Sequence, residues 1–253
     1  LEFDRPMDTT VVDERGGFDN ETNDFGLERL HGTYKLGENL RFHAGFDIWF
    51  VGDPAGLAYG DDGPGFWLTG DYGDIDFSAG FWKLSENNAD VSPSTDRFSD
   101  SKDADRDLYA GYMTYNISET NRLRGFYMYD RIRDVPTGTL LQRLTASAGQ
   151  VPDTDAHYLG AFYEGGAGIV EYFLEGVYKF GSADNTGLAQ DDYDIDAYAL
   201  AGDIAFDLGK SVGWGLKPHI GGIYTSGDDD PADDELGGYT GVVSHQRFTT
   251  LGG

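Results

Sequence analysis

The sequence predicts an all-β fold, an antiparallel up-and-down transmembrane β-barrel, on three observations. Apolar and polar residues take turns along segments of about ten residues, the period of a strand and not of a helix. The segments are joined by connections that are strictly short, then long, then short. That is the pattern of a membrane barrel with turns at one rim and loops at the other. Finally, 37 Gly and 14% aromatic residues suit strands parted by tight turns.

The alternation is clearest over residues 40–51, where Leu40, Phe42, Ala44, Phe46, Ile48 and Phe50 share one face. Arg41, His43, Gly45, Asp47 and Trp49 share the other. Similar patterns place strands at 26–36, 40–51, 65–72, 75–84 and 107–117, then at 122–133, 156–163, 169–180, 194–207 and 215–226. At a tilt near 45°, ten such residues rise roughly 23 Å, the height of an outer-membrane apolar band. The short connections fall at Gly37–Asn39, Gly73–Asp74, Ser118–Asn121, Glu164–Gly168 and Leu208–Gly213. The long ones fall at 52–64, 85–106, 134–155, 181–193 and from 227 onward. On this reading strand 26–36 starts at the long-loop rim and strand 215–226 ends there. A further strand is therefore expected before residue 25 and another after 227, giving twelve or more, with Leu1–Arg5 as the tail of the first. The chain reads as a single barrel domain over 1–253, an internal piece of a larger barrel, with 1–24 and 227–253 as loop or partial strand.

Composition excludes several classes. A formal charge of −27 and a pI near 4.2 do not suit a nucleic-acid partner, which calls for clustered Lys and Arg. No Cys is present, so disulfides, thiolate catalysis and Cys-based zinc sites are excluded together. Apolar runs are too short for a transmembrane helix, which needs about 18 residues or more. Transmembrane strands escape that test, since their lipid face uses every second residue.

Taking the apolar face as lipid-facing assigns the lumen. Its basic residues are then Arg29, Lys35, Arg41, Arg122, Arg124, Lys179 and Lys217. Its acidic residues are Asp47, Asp71, Asp76, Asp130, Glu171, Glu175 and Asp203, seven against seven, with His31, His43 and His219 in addition. Opposed charge rows across a wet pore would create a transverse field and screen what passes. Alternatively, these charges pair and stiffen the wall. Trp49, Phe50, Tyr72, Tyr129 and Tyr178 stand at strand ends and fit the aromatic girdles of a membrane interface.

The densest acidic run is Ser226–Glu235, which contains Asp228, Asp229, Asp230, Asp233 and Asp234. Hard oxygens at short spacing can bind Ca²⁺, though the run lacks the Gly and Glu of the twelve-residue calcium loop. A solvated loop is the simpler reading, here and at Asp100–Asp107. Bridging through divalent ions to lipopolysaccharide is one role such loops could take. No other cofactor is expected. Neither Gly-x-Ser-x-Gly nor His-Glu-x-x-His occurs, and no catalytic constellation stands out, so the chain is not expected to be an enzyme.

The stretch Lys217-Pro-His-Ile-Gly-Gly-Ile-Tyr-Thr-Ser-Gly-Asp-Asp-Asp230 resembles the alginate-export-like group of outer-membrane porins. Hairpins such as Leu40–Phe50 also look like those of these large porins. The resemblance implies a monomeric, many-stranded barrel that passes small or polymeric polar solutes across the outer membrane. Alginate exporters carry an Arg-rich lumen, whereas the charges assigned here balance, so no functional residue carries over. The expected function is passive diffusion of small hydrophilic solutes or ions through a porin in the outer membrane of a Gram-negative bacterium, among lipid and lipopolysaccharide. One alternative is a plugged barrel that is structural or binds a partner protein. Another is a membrane-embedded hydrolase.

Overall fold

A computed structural model describes residues 2–4, 26–52, 55–85, 106–133, 153–184, 192–212, 215–230 and 233–242. The described residues lie mostly in strands. In order these are β1 (Glu2–Asp4), β2 (Gly26–Lys35), β3 (Leu40–Val51), β4 (Tyr59–Asp71), β5 (Ile75–Ser85) and β6 (Arg106–Ser118). There follow β7 (Asn121–Ile132), β8 (Asp153–Ala167), β9 (Val170–Asp184), β10 (Asp192–Phe206), the single helical turn α1 (Gly209–Val212), β11 (His219–Thr225) and β12 (Glu235–Leu236). No described helix is long and apolar enough to cross a membrane.

Every strand from β1 to β11 pairs antiparallel with the next in sequence, which makes one up-and-down sheet. The ten segments read from the sequence are all present as β2 to β11. An additional strand, β1, pairs with β2 at the N-terminal edge. Past residue 227 a strand is also present, and residues 231–232 and 243–253 lie outside the described residues. The two-residue β12 runs parallel to β10, continuing along the edge that β11 leaves. No ladder joins the two ends of the meander among the described residues.

The turns lie where the sequence places them. Gly73 and Gly168 take positive φ (77° and 63°) in the β4–β5 and β8–β9 turns, a conformation that favours glycine. The other rim differs: residues 153–155, 181–184 and 192–193, expected in long loops, lie in β8, β9 and β10, and residues 59–64 are the start of β4. Asp61 and Asp62 stand opposite Trp49 and Ile48 of β3 there, so ladder hydrogen bonding outweighs the polar, glycine-rich composition.

Register aligns the two faces across the whole sheet. Leu30, Phe42, Phe66, Tyr109, Leu159, Leu174, Leu200, Ile204 and Ile220 all point to the convex side and are exposed, Leu174 to 61% and Ile220 to 74%. Trp82, Leu108, Phe126, Met128, Tyr158, Phe162, Val177 and Ala199 point to the concave side and are buried. The polar groups Thr114, Asp130, Glu175 and Lys179 are buried with them. Apolar residues thus stand on both faces, open on the convex side and, on the concave side, enclosed around a few polar groups. Phe46 is buried on the convex face, at 9% exposure between Leu30 and Pro64. There β3 presses close to β2: a Cβ on Gly45, whose φ is 138°, would lie 2.3 Å from the Leu30 carbonyl.

Trp49 departs from the girdle role expected of it. It faces the concave side and stacks on Trp82 with ring centres 3.8 Å apart. Strand parity, which puts it with Arg41 and Asp47, outweighs its place near a strand end.

Candidate functional site on the concave face

Ladder register brings the lumenal charges expected from the sequence onto one surface. Asp130 and Glu175, in β7 and β9, are fully enclosed at 2% and 0% exposure, and Lys179 follows Glu175 by four residues on the same face. Arg29, Arg41, His43, Asp47, Asp71, Asp76, Arg122, Arg124, Glu171 and His219 share that face, and Lys217 precedes β11 at the short-turn rim.

Elsewhere on that face these groups are half-open and paired. Arg122 meets Glu164 at 2.8 Å. Arg124 donates to Thr114 Oγ1 at 2.9 Å and lies 4.0 Å from the centre of the Tyr112 ring. Asp47 receives His31 at 3.2 Å and Arg29 at 3.7 Å. His43 is held by two hydroxyls, Thr33 Oγ1 at 3.0 Å and Thr69 Oγ1 at 2.9 Å, and stacks on Trp67. Asn116 donates to Asp76, and His219 pairs with Asp203. Glu171 accepts from both Lys210 and Lys217, each at 2.5 Å. That carboxylate lifts Lys210 above the ordinary lysine range.

At the long-loop half the concave face is covered by the chain itself. Between β3 and β4, Gly52 and Gly56 take positive φ (72° and 69°), and residues 55–58 turn inward rather than outward. The Ala55 amide donates to Glu175 Oε2 at 2.9 Å. A second segment, residues 239–242, lies against the first, with Tyr239 Oη donating to Leu57 O at 2.8 Å and the Val242 amide to Ala58 O at 2.9 Å. Burial and Glu175 both hold the Tyr239 hydroxyl above its ordinary pKa. Three side chains on the wall receive this strap. Arg106 donates to Val242 O at 3.0 Å, Lys179 to Thr240 Oγ1 at 2.8 Å, and Tyr158 Oη to Thr240 O at 3.2 Å.

Arg106, Tyr158, Trp67, Trp82 and both inward segments were missed at the sequence level. Arg106 begins β6 where a loop was expected to end, so its parity was not assigned. The glycines of Gly52-Asp-Pro-Ala-Gly56 signal a tight turn but not its direction.

The acidic residues Asp228, Asp229, Asp230, Asp233 and Asp234 lie beyond β11 and do not converge as a metal-binding group among the described residues. Glu235 beside them is held above the usual carboxylate range by desolvation and then by Asp196, Asp233, Asp229 and Asp228. Of Asp100–Asp107, residues 100–105 lie outside the described residues.

On the convex face, aromatic rings line up across neighbouring strands. Phe81, Tyr109, Tyr129, His157 and Phe180 form a continuous row, with centres 4.8 to 5.9 Å apart. Just beyond it toward the long-loop rim run Lys83, Asp107, Arg131, Asp155 and Arg133, linked as ion pairs from Lys83–Asp107 at 3.0 Å to Arg133–Asp155 at 2.7 Å. Tyr72–Phe77 and Tyr163–Tyr172 supply rings toward the opposite rim.

No protein-family model matches this chain, and none of the curated proteins matches it.

Proposed function

We propose that the chain forms a transmembrane β-barrel in the outer membrane of a Gram-negative bacterium. In this reading it is a channel for passive diffusion of small hydrophilic solutes or ions, and not an enzyme. The observation that carries the reading is the array of large apolar side chains left open on the convex face. Leucine, isoleucine and tyrosine of consecutive strands are open there, while Asp130, Glu175 and Lys179 on the concave face are enclosed with the apolar core. Exposing that apolar surface to water over consecutive strands would invite association; facing acyl chains it is satisfied. The aromatic row from Phe81 to Phe180, with charges immediately past it, has the order expected at a bilayer interface, where lipopolysaccharide and lipid headgroups would be the neighbours.

Passage would run along the concave face between the charge pairs of β2–β3, β7 and β9–β11. The likeness to alginate-export-like porins belongs to the same proposal. A second reading, a barrel plugged by its own segments that is structural or binds a partner, is favoured by the inward contacts of Ala55, Thr240 and Val242.

Planar-bilayer recording separates the two. A channel gives discrete current steps, and changing Arg122 and Arg124 together to Glu shifts the reversal potential toward cation preference. A barrel that never conducts, or a reversal potential that ignores both substitutions, contradicts the channel reading.

A further inference from the structure

Lys179 is buried among neutral partners. Its ammonium donates to Thr240 Oγ1 at 2.8 Å and lies 5.4 Å from the centre of the Tyr158 ring. Among the described residues no carboxylate forms an ion pair with it, and Asp130, whose charge it feels, is committed to Arg106. A buried ammonium is costly without a charged partner, and a hydroxyl is a weak substitute for an anion. Arg106 shows the same arrangement on its other side. It gives two donors to Asp130 and one to the Val242 carbonyl at 3.0 Å. Tyr158 Oη donates to the Thr240 carbonyl at 3.2 Å.

An ammonium, a guanidinium nitrogen and a phenol hydroxyl thus converge on the uncharged oxygens of one strap, residues 239–242. Such a donor set recognises a small oxyanion, because charge-assisted hydrogen bonds are roughly twice as strong as neutral ones. The strap is held to the other inward segment by Tyr239–Leu57 and Val242–Ala58.

We propose that Lys179, Arg106 and Tyr158 form a binding point for a small carboxylate anion. At rest the strap occupies it, with Thr240 and Val242 in the places of the anion's oxygens. This rests on the channel reading and deepens it: the solute class is a small monocarboxylate, and its arrival releases the strap that covers the long-loop mouth.

Hydrogen exchange of the Val242 amide, bonded to Ala58 O at 2.9 Å, reports the closed strap directly. The full chain in lipid nanodiscs is compared in sodium acetate and in sodium chloride at equal ionic strength. Acetate is expected to speed exchange at Val242 by about tenfold over chloride. Lys179→Met abolishes the difference between the salts, and Thr240→Ala lowers the acetate concentration needed. Equal exchange in both salts for the native chain overturns the proposal, as does an undiminished acetate response in Lys179→Met. Bilayer currents recorded alongside keep the two readings apart. Acetate-released exchange without any current leaves the anion site standing and removes the channel. Current steps with exchange blind to acetate do the reverse.

Discussion

Arg106 of β6 and Asp130 of β7 form a two-pronged ion pair on the concave face, Nε to Oδ1 at 2.9 Å and Nη2 to Oδ2 at 2.7 Å. The carboxylate is enclosed and the guanidinium nearly so, at 2% and 17% exposure. Breaking one side of such a pair strands a charge away from water. Asp130→Ala is expected to cost about 3–5 kcal/mol of stability. Removing both charges in Arg106→Met with Asp130→Leu should recover most of that loss. Urea unfolding in detergent micelles measures both, and a double variant as unstable as the single one would contradict the assignment.

Gly52 sets the direction of the first inward segment. Its φ of 72° disfavours any side chain, and a Cβ there would stand 2.6 Å from Glu175 Oε1 and 3.1 Å from Phe126 Cζ. Gly52→Ala is expected to cost about 1–3 kcal/mol and to lift residues 55–58 off Glu175. The sign is read by hydrogen exchange at the Ala55 amide, whose bond to Glu175 is then lost. Unchanged protection there would mean that the segment is held by other contacts.

At the short-turn rim the carboxylate of Glu171 sets the basicity of Lys210, which sits outside the strands. Its hydrogen bond raises the ammonium's pKa, and the charges of Glu171 and Asp207 add to the effect. The sign follows. A folded-state pKa above the unfolded value gives a contact complete at neutral pH, lost as pH climbs through the raised value. Glu171→Gln should bring the titration of Lys210 Nζ, followed by NMR, back toward the ordinary lysine range. No movement would show that the pairing is not made in solution.

The ten long strands and their turns are legible in the sequence because both depend on local rules: parity along a strand, and Gly, Asn or Asp where it must reverse. Parity alone also puts Arg41, Asp47, Glu175 and Lys179 on one face. What covers them is not local. Nothing in Gly52-Asp-Pro-Ala-Gly56 or Tyr239-Thr-Gly-Val242 says that these segments fold in, because their partners, Glu175, Lys179 and Arg106, lie far along the chain. Trp49 shows two rules in conflict. Its position near a strand end suggests an interface ring, while its parity sends it inward, where Trp82 receives it.

The central claim, that the convex face meets hydrocarbon, is tested most directly by spin labels placed singly along β9 and β10. The described chain contains no cysteine, so Leu174→Cys, Leu200→Cys and Ile204→Cys each accept one label without further change. In lipid vesicles these positions should collide freely with oxygen and poorly with a water-soluble nickel chelate. Labels on Val177→Cys and Ala199→Cys, which point inward, should be shielded from oxygen by packing. A two-residue period in oxygen access is the predicted result. If Leu174, Leu200 and Ile204 instead collide with the nickel chelate as readily as an exposed loop does, the convex face lies in water and the account fails.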